Sequence, residues 1–134
     1  MIEKVTGQTY YDYVHERVYG PAQMTATGSQ PEDQAVSDLS VGYMRQPGTA
    51  ERSRNTETLP YRGTSAGGGY STAEDLARFA GALLSHQLLS ADATGLLITG
   101  KVDVARGLSY ACGFADCRDA DGNGWVGHNG GARG

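Results

Sequence analysis

The stretch VGHNGGARG occupies residues 126–134 and decides how the rest of the chain is interpreted. It continues a short apolar run that predicts a β-strand. At the end of that run stand His128, Asn129 and the two glycines Gly130 and Gly131. A histidine beside backbone without side chains suits a site that approaches a substrate carbonyl closely. Because the sequence stops there, we expect these residues to be a piece of a larger protein.

The composition argues against several classes of function. A formal net charge of −4 is not the positive charge that attracts nucleic acid or an anionic membrane. No apolar run approaches the roughly 20 residues of a membrane span, and Glu3 and Lys4 interrupt the apolar start that a signal peptide needs. The 20 glycines predict many turns and a small core. The length suits a single partial domain over residues 1–134, and we expect no cofactor.

The two cysteines, Cys112 and Cys117, stand five positions apart. In one continuous strand they would be about 16 Å from each other, whereas a disulfide needs Cα atoms within about 7 Å. We therefore expect two free thiols unless a turn separates them. Neither a further cysteine nor a suitably spaced histidine stands nearby in sequence, so the pair does not indicate a metal site.

Local signals predict two short helices at the start of the chain. The first residues have the pattern of a helix end, with Gly7 as its stop. Thr9 then opens a second helix, with Asp12 as its capping-box partner. Gly20 and Pro21 end that helix.

The clearest helix covers residues 72–85, where Ser71 with Glu74 and Thr72 with Asp75 both offer capping boxes. Its apolar residues are expected on one face: Leu76, Phe79, Ala80, Leu83 and Leu84. A shorter helix is predicted over residues 92–98. Residues 25–69 show no sustained hydrophobic periodicity. Two interpretations stay open for them: the wall of a binding cleft, or an irregular surface segment without a binding role.

The C-terminal third predicts a β-hairpin, with a strand over residues 108–118, a turn over 119–124 and a returning strand over 125–128. The turn segment DADGNG also imitates a calcium-binding loop, with oxygen ligands at positions one, three and five and glycine at six. Gly130 stands at position twelve, where that loop needs glutamate, so we favour a tight polar turn. The predicted fold class is α/β (α+β), with helices packed on an antiparallel sheet that ends in a hairpin.

The segment GTSAG, residues 63–67, matches the G-x-S-x-G pattern around Ser65. In a nucleophile elbow the serine lies between a buried strand and a helix that follows at once. Here a proline-containing segment precedes it and two more glycines follow. A glycine-rich loop before a helix is the favoured interpretation. A loop that lines a site, or a nucleophile at Ser65, stays open.

Four stretches, in order, resemble one family. They are IEKVTGQTY at 2–10, GPAQMTAT at 20–27, SAGGGYSTAEDL at 65–76 and GHNGG at 127–131. They resemble the C-terminal part of the serine β-lactamase-like hydrolases, the group of class C β-lactamases, penicillin-binding-protein-like esterases and D-amino-acid-releasing peptidases. The second is similar to a turn written P-L-G-M-x-x-T, and the last to the motif written K-T-G or H-x-G. The resemblance implies a partial β-lactamase/transpeptidase-like fold.

The same resemblance implies acyl transfer through a covalent serine ester and gives the C-terminal stretch its roles. His128 would stand where the K-T-G lysine stands, to anchor a substrate carboxylate or to tune a proton relay. Asn129 and Gly130 would line the substrate, and the side-chain amide of Asn129 would replace a hydroxyl. The backbone N–H of Gly131 would be one of two oxyanion-hole donors, the other belonging to the serine.

Two motifs of that family are missing from these residues. The only lysines, Lys4 and Lys101, are preceded three positions earlier by Met1 and Ile98, so the sequence contains no S-x-x-K. The letters S-R-N at 53–55 match S-x-N only by chance. They lie in the polar irregular segment, whereas the resemblance places the second motif before Ile2. We expect the nucleophile, its lysine and the tyrosine motif to lie upstream, and the chain alone to be inactive.

Three hypotheses are carried forward. The favoured one is an incomplete serine hydrolase whose small-molecule substrate is an ester, an amide or a β-lactam. The others are a non-catalytic binding module with the same fold and a self-contained hydrolase that uses Ser65. The exposed edge of the predicted sheet invites self-association. Members of the family are often periplasmic or secreted, and this sequence does not indicate a compartment.

Overall fold

A computed structural model describes residues 1–45 and 48–131. Ala132, Arg133 and Gly134 of the C-terminal stretch lie outside the described residues. The chain divides into two compact units, Met1–Phe79 with the residues after Asn129, and Ala80–Asn129. The prediction of one domain over residues 1–134 stays a prediction.

The first helix ends and the second begins where the local signals predict, but the second ends before the predicted stop at Gly20 and Pro21. Helix α1, Ile2–Thr6, ends at Gly7, whose φ of 74° is the left-handed conformation that favours glycine. Helix α2, Tyr10–Val14, begins after Thr9, whose hydroxyl accepts the N–H of Asp12 at 3.2 Å. The chain then continues as a π-helical turn, His15–Tyr19, which the sequence did not predict.

The stretch without a sustained period contains little regular structure. Strands β1, Tyr43–Arg45, and β2, Arg52–Arg54, pair antiparallel, and a 3₁₀ turn covers Thr56–Thr58. The ends of the stretch are joined, because Gly28 and Tyr70 exchange two backbone hydrogen bonds of 3.0 and 2.9 Å. A side chain at Gly28 would collide with the Tyr70 hydroxyl, 2.5 Å from the added Cβ, so this closure requires glycine.

Helix α3 runs from Ala73 to Leu84. Thr72 is its cap, since the Thr72 hydroxyl accepts the N–H of Asp75 at 3.2 Å. The predicted apolar face is only partly correct: Leu76 and Leu84 are 56% and 62% exposed, whereas Asp75 is almost completely buried. The helix is turned so that this carboxylate faces inward.

Helix α4, Ala91–Ile98, lies close to its predicted position. The hydroxyl of Ser90 caps it by accepting the N–H of Ala93 at 3.3 Å, and Thr99 ends it.

The sheet of the second unit has four antiparallel strands in chain order. They are β3, Val102–Ala105; β4, Leu108–Tyr110; β5, Ala115–Arg118; and β6, Gly124–Gly127. The prediction of one strand over residues 108–118 is wrong, because the chain reverses at Gly113, which has a φ of 85°. Helices with an antiparallel sheet that ends in a hairpin confirm the predicted fold class.

The reversal at Gly113 also places a turn between the two cysteines. Cys112 is exposed in that turn, and Cys117 is half-buried in β5. Both thiols are free.

Candidate functional site

The hairpin that leads to the candidate site is closed by Asp119. Its Oδ1 accepts the backbone N–H groups of Asp121 at 3.0 Å and Asn123 at 2.8 Å, and its Oδ2 accepts the Asn123 amide at 3.1 Å. The Asn123 side chain holds the pKa of Asp119 below its ordinary value, with help from the backbone donors and against the effect of burial. The carboxylate that a calcium loop would use is thus occupied by the turn itself. This supports the interpretation of the segment as a polar turn.

His128 lies just beyond the end of β6 and has a hydrogen-bond partner at each ring nitrogen. Nε2 lies 2.7 Å from the hydroxyl of Tyr110, and Nδ1 lies 2.5 Å from the carbonyl oxygen of Asn129. The rings of Tyr110 and His128 meet edge to face, with centroids 5.7 Å apart. The imidazole is exposed to solvent and is nevertheless fixed in orientation.

The register of the sheet brings Tyr110 to this position. Tyr110 pairs with Ala115 on β5, and Ala115 pairs with Gly127 on β6. Residues paired across neighbouring strands face the same side of the sheet. Ala115, which lies between Tyr110 and the end of β6 on this face, has only a methyl group as its side chain. Sequence reasoning missed Tyr110, because Tyr110 and His128 stand 18 residues apart and their contact leaves no local signal in the sequence.

Gly130 and Gly131 follow as bare backbone. A Cβ added to either glycine would meet no atom within 4 Å among the described residues. Neither glycine has the positive φ that excludes other residues. Packing within the described part of the chain therefore does not explain two glycines here.

A second cluster joins two of the stretches that carry the family resemblance. Oδ2 of the buried Asp75 accepts the backbone N–H of Ala26 at 2.7 Å and the hydroxyl of Thr27 at 2.8 Å. Its Oδ1 accepts Nη1 of Arg78 at 3.0 Å. Burial opposes ionisation of Asp75, but these hydrogen bonds and the Arg78 charge outweigh it, and the pKa of Asp75 lies below its ordinary value. Sequence reasoning had named Asp75 only as a capping partner.

Ser65 is not placed as a nucleophile elbow requires. It lies at the exposed tip of a tight turn in which Thr64 and Gly67 exchange hydrogen bonds of 2.8 and 3.0 Å. The next helix, α3, begins only at Ala73, so its N-terminal N–H groups do not lie beside Ser65 in the chain. The segment around Ser65 is therefore a glycine-rich loop and lacks the strand–turn–helix geometry of an elbow. The interpretation that this loop lines a site stays a prediction.

Within residues 1–45 and 48–131, no helix is both long enough and apolar enough to cross a bilayer. The same residues contain no cluster of three or more histidine, cysteine, aspartate or glutamate side chains that could hold a metal ion.

The Beta-lactamase family profile matches residues 1–134, and the chain belongs to this family. No curated protein matches the chain. Among solved structures, the penicillin-binding protein from Bacillus halodurans is 30% identical with a TM-score of 0.85, over 90% of this chain and 37% of its own. The D-stereospecific amidohydrolase from Streptomyces sp. is 27% identical with a TM-score of 0.77, over 99% of this chain and 40% of its own.

The octameric penicillin-binding protein homologue from Pyrococcus abyssi has the same fold, with 24% identity and a TM-score of 0.82, over 95% of this chain and 29% of its own. The chain thus spans well under half the length of each of these proteins. It is related to the β-lactamases and resembles penicillin-binding proteins, within a family whose structural neighbours are hydrolases.

Proposed function

We propose that residues 128–131 form the oxyanion-side wall of a serine hydrolase site that acts by acyl-enzyme chemistry on an ester, an amide or a β-lactam. The observation that carries the proposal is the open backbone of Gly130 and Gly131, which begins two residues after a histidine with a hydrogen-bond partner at both ring nitrogens. The similarity to a D-stereospecific amidohydrolase and to a penicillin-binding protein supports a substrate with a reactive acyl group.

In this proposal each residue of the wall has one task. The N–H of Gly131 donates to the oxygen that becomes negative in the tetrahedral intermediate. The side-chain amide of Asn129 donates to a polar group of the substrate. Gly130 keeps the approach open because it adds no side chain. His128 stands beside the reacting centre and acts on a proton or on a carboxylate.

These 134 residues contain no S-x-x-K, so the proposed wall acts on an acyl group held by a serine from outside them. A chimera tests this: residues 1–134 replace the matching segment of the Bacillus halodurans penicillin-binding protein. Acylation by a fluorescent penicillin is then followed over time. We expect acylation by the chimera and no mass increase of the 134-residue chain after incubation with penicillin or an aryl ester.

A matched pair of variants in the chimera isolates the oxyanion donor. Gly131→Pro removes the N–H, whereas Gly131→Ala keeps it and adds a methyl group that meets no atom within 4 Å among the described residues. Loss of one such donor costs about 2.7–4 kcal/mol, or roughly 10²–10³ in rate. We expect that loss for proline and less than about tenfold for alanine. Equal acylation rates for the two variants would contradict the role of Gly131, and binding of penicillin without acylation would favour a binding module.

A further inference from the structure

The two hydrogen bonds of His128 define which ring nitrogen carries the proton when the imidazole is neutral. A backbone carbonyl oxygen can only accept a hydrogen bond. The 2.5 Å contact of Nδ1 with the Asn129 carbonyl therefore places the proton of a neutral imidazole on Nδ1. Nε2 then carries a lone pair, and the Tyr110 hydroxyl at 2.7 Å must be the donor.

This arrangement separates the two tasks left open for His128. A neutral imidazole has one N–H, and here it is already donated to the Asn129 carbonyl. Holding a substrate carboxylate would require a second N–H. Accepting a proton requires only the Nε2 lone pair, at which Tyr110 already directs its hydroxyl.

From this geometry, and resting on the proposed function of residues 128–131, we propose that Tyr110 is a positioning residue: by donating to Nε2 it supports the Nδ1–H tautomer that the Asn129 carbonyl selects, and it assigns His128 to proton transfer, not to carboxylate binding. In the transfer, the Nε2 lone pair takes one proton from the reacting group, and the Tyr110 hydroxyl turns to accept the hydrogen bond of the new Nε2–H. The tyrosine is neutral before and after, and the imidazole gains one positive charge. The resulting imidazolium donates both of its N–H groups, one to Asn129 and one to Tyr110.

The tautomer is measured directly by two-bond ¹H–¹⁵N correlation spectra of the 134-residue chain labelled with ¹⁵N-histidine. The sample is held at about pH 8.5, where an ordinary imidazole is neutral. The chain has three histidines, and His128→Gln identifies the signals of His128 by their loss. We expect Nδ1 of His128 to appear protonated and Nε2 to appear as an acceptor. A protonated Nε2 in the unaltered chain would overturn the proposal without any variant.

Tyr110→Phe removes the hydroxyl and keeps the ring. We expect its His128 signals to move toward the Nε2–H form, since nothing then donates to Nε2. Tyr43→Phe is the matched control, because Tyr43 also lies in a strand and is 50% exposed, compared with 40% for Tyr110. The signals of His86, whose ring contacts Thr94 in the same unit, report whether the fold is kept. Unchanged His128 signals in a folded Tyr110→Phe variant would contradict the proposal.

A kinetic readout in the chimera separates this inference from the proposed function. We expect Tyr110→Phe to slow acylation by roughly tenfold and to leave the concentration of penicillin for half-maximal rate unchanged. A carboxylate anchor would raise that concentration instead. If the chimera does not acylate at all but the Nδ1–H tautomer depends on Tyr110, the proposed function fails and the hydrogen-bond assignment stands.

Discussion

Asp75 combines almost complete burial with hydrogen bonds to groups far apart in sequence. Its carboxylate joins the loop at Ala26 and Thr27 to helix α3, and Arg78 balances its charge. A buried carboxylate in such a network stabilises the fold only while it is ionised and its partners are in place.

The first prediction concerns the pH dependence of this contribution. Because the folded pKa of Asp75 lies below the ordinary 3.8, its stabilisation is fully present above pH 3.8 and is lost as the pH falls through the folded pKa. Asp75→Asn should therefore lower the urea midpoint at pH 7, and the difference from the unaltered chain should shrink below pH 3.8. Asp92→Asn, at an exposed position, is the control and should show no such convergence. A constant difference down to pH 2.5 would contradict the assignment.

At the scale of elements, the helices owe their positions to local signals. Thr72 caps α3, and Ser90 caps α4.

Thr72→Ala should destabilise the chain by about 1 kcal/mol, because the N–H of Asp75 loses its acceptor. Thr72→Ser keeps a hydroxyl and should restore most of the loss. Chemical denaturation followed by far-UV circular dichroism measures both variants, and equal stability of the alanine and serine variants would count against the cap.

The same local signals explain what the sequence could predict. Gly7, Thr9 and Ser90 act on neighbours within four residues, and the helix ends that they form lie within one or two residues of their predicted positions. Strand β3 was missed, and β4 was merged with β5, because strand identity depends on partners elsewhere in the chain. A single glycine, Gly113, reverses the chain between them.

For the candidate site, too, the sequence predicts local features but not contacts between residues far apart in the chain. The type and order of residues 128–131 indicate a site from the sequence alone. The sequence does not indicate that Tyr110 is the partner of His128, because Tyr110 reaches His128 across one intervening strand. The burial of Asp75 was equally hidden, because a carboxylate in the first turn of a helix is usually a surface group.

At the scale of the whole molecule, the edge of the four-stranded sheet has a consequence for assembly. Strand β3 is an edge strand, and its Val102 and Val104 are 64% and 61% exposed. An apolar, unprotected edge favours pairing with another strand. We propose that this chain associates with itself through β3.

Sedimentation velocity tests the association. Burial of one valine contributes about 1.5 kcal/mol, so Val102→Lys with Val104→Lys should raise the dissociation constant by about 100-fold. Leu96→Lys is the matched control, because Leu96 is 64% exposed but lies on helix α4. A monomeric unaltered chain, or equal effects of the edge and helix variants, would contradict the proposal.

The closure between Gly28 and Tyr70 has a consequence for how this protein can diverge. The two residues that bracket the irregular segment are held together by two backbone hydrogen bonds, and beside them Thr27 is tied to Asp75. The entropy of closing a loop rises only with the logarithm of its length, about 0.6 kcal/mol for each doubling. The closure entropy therefore changes little when the number of residues between these anchors changes. The segment can change length and content over evolution while the scaffold on either side keeps its geometry.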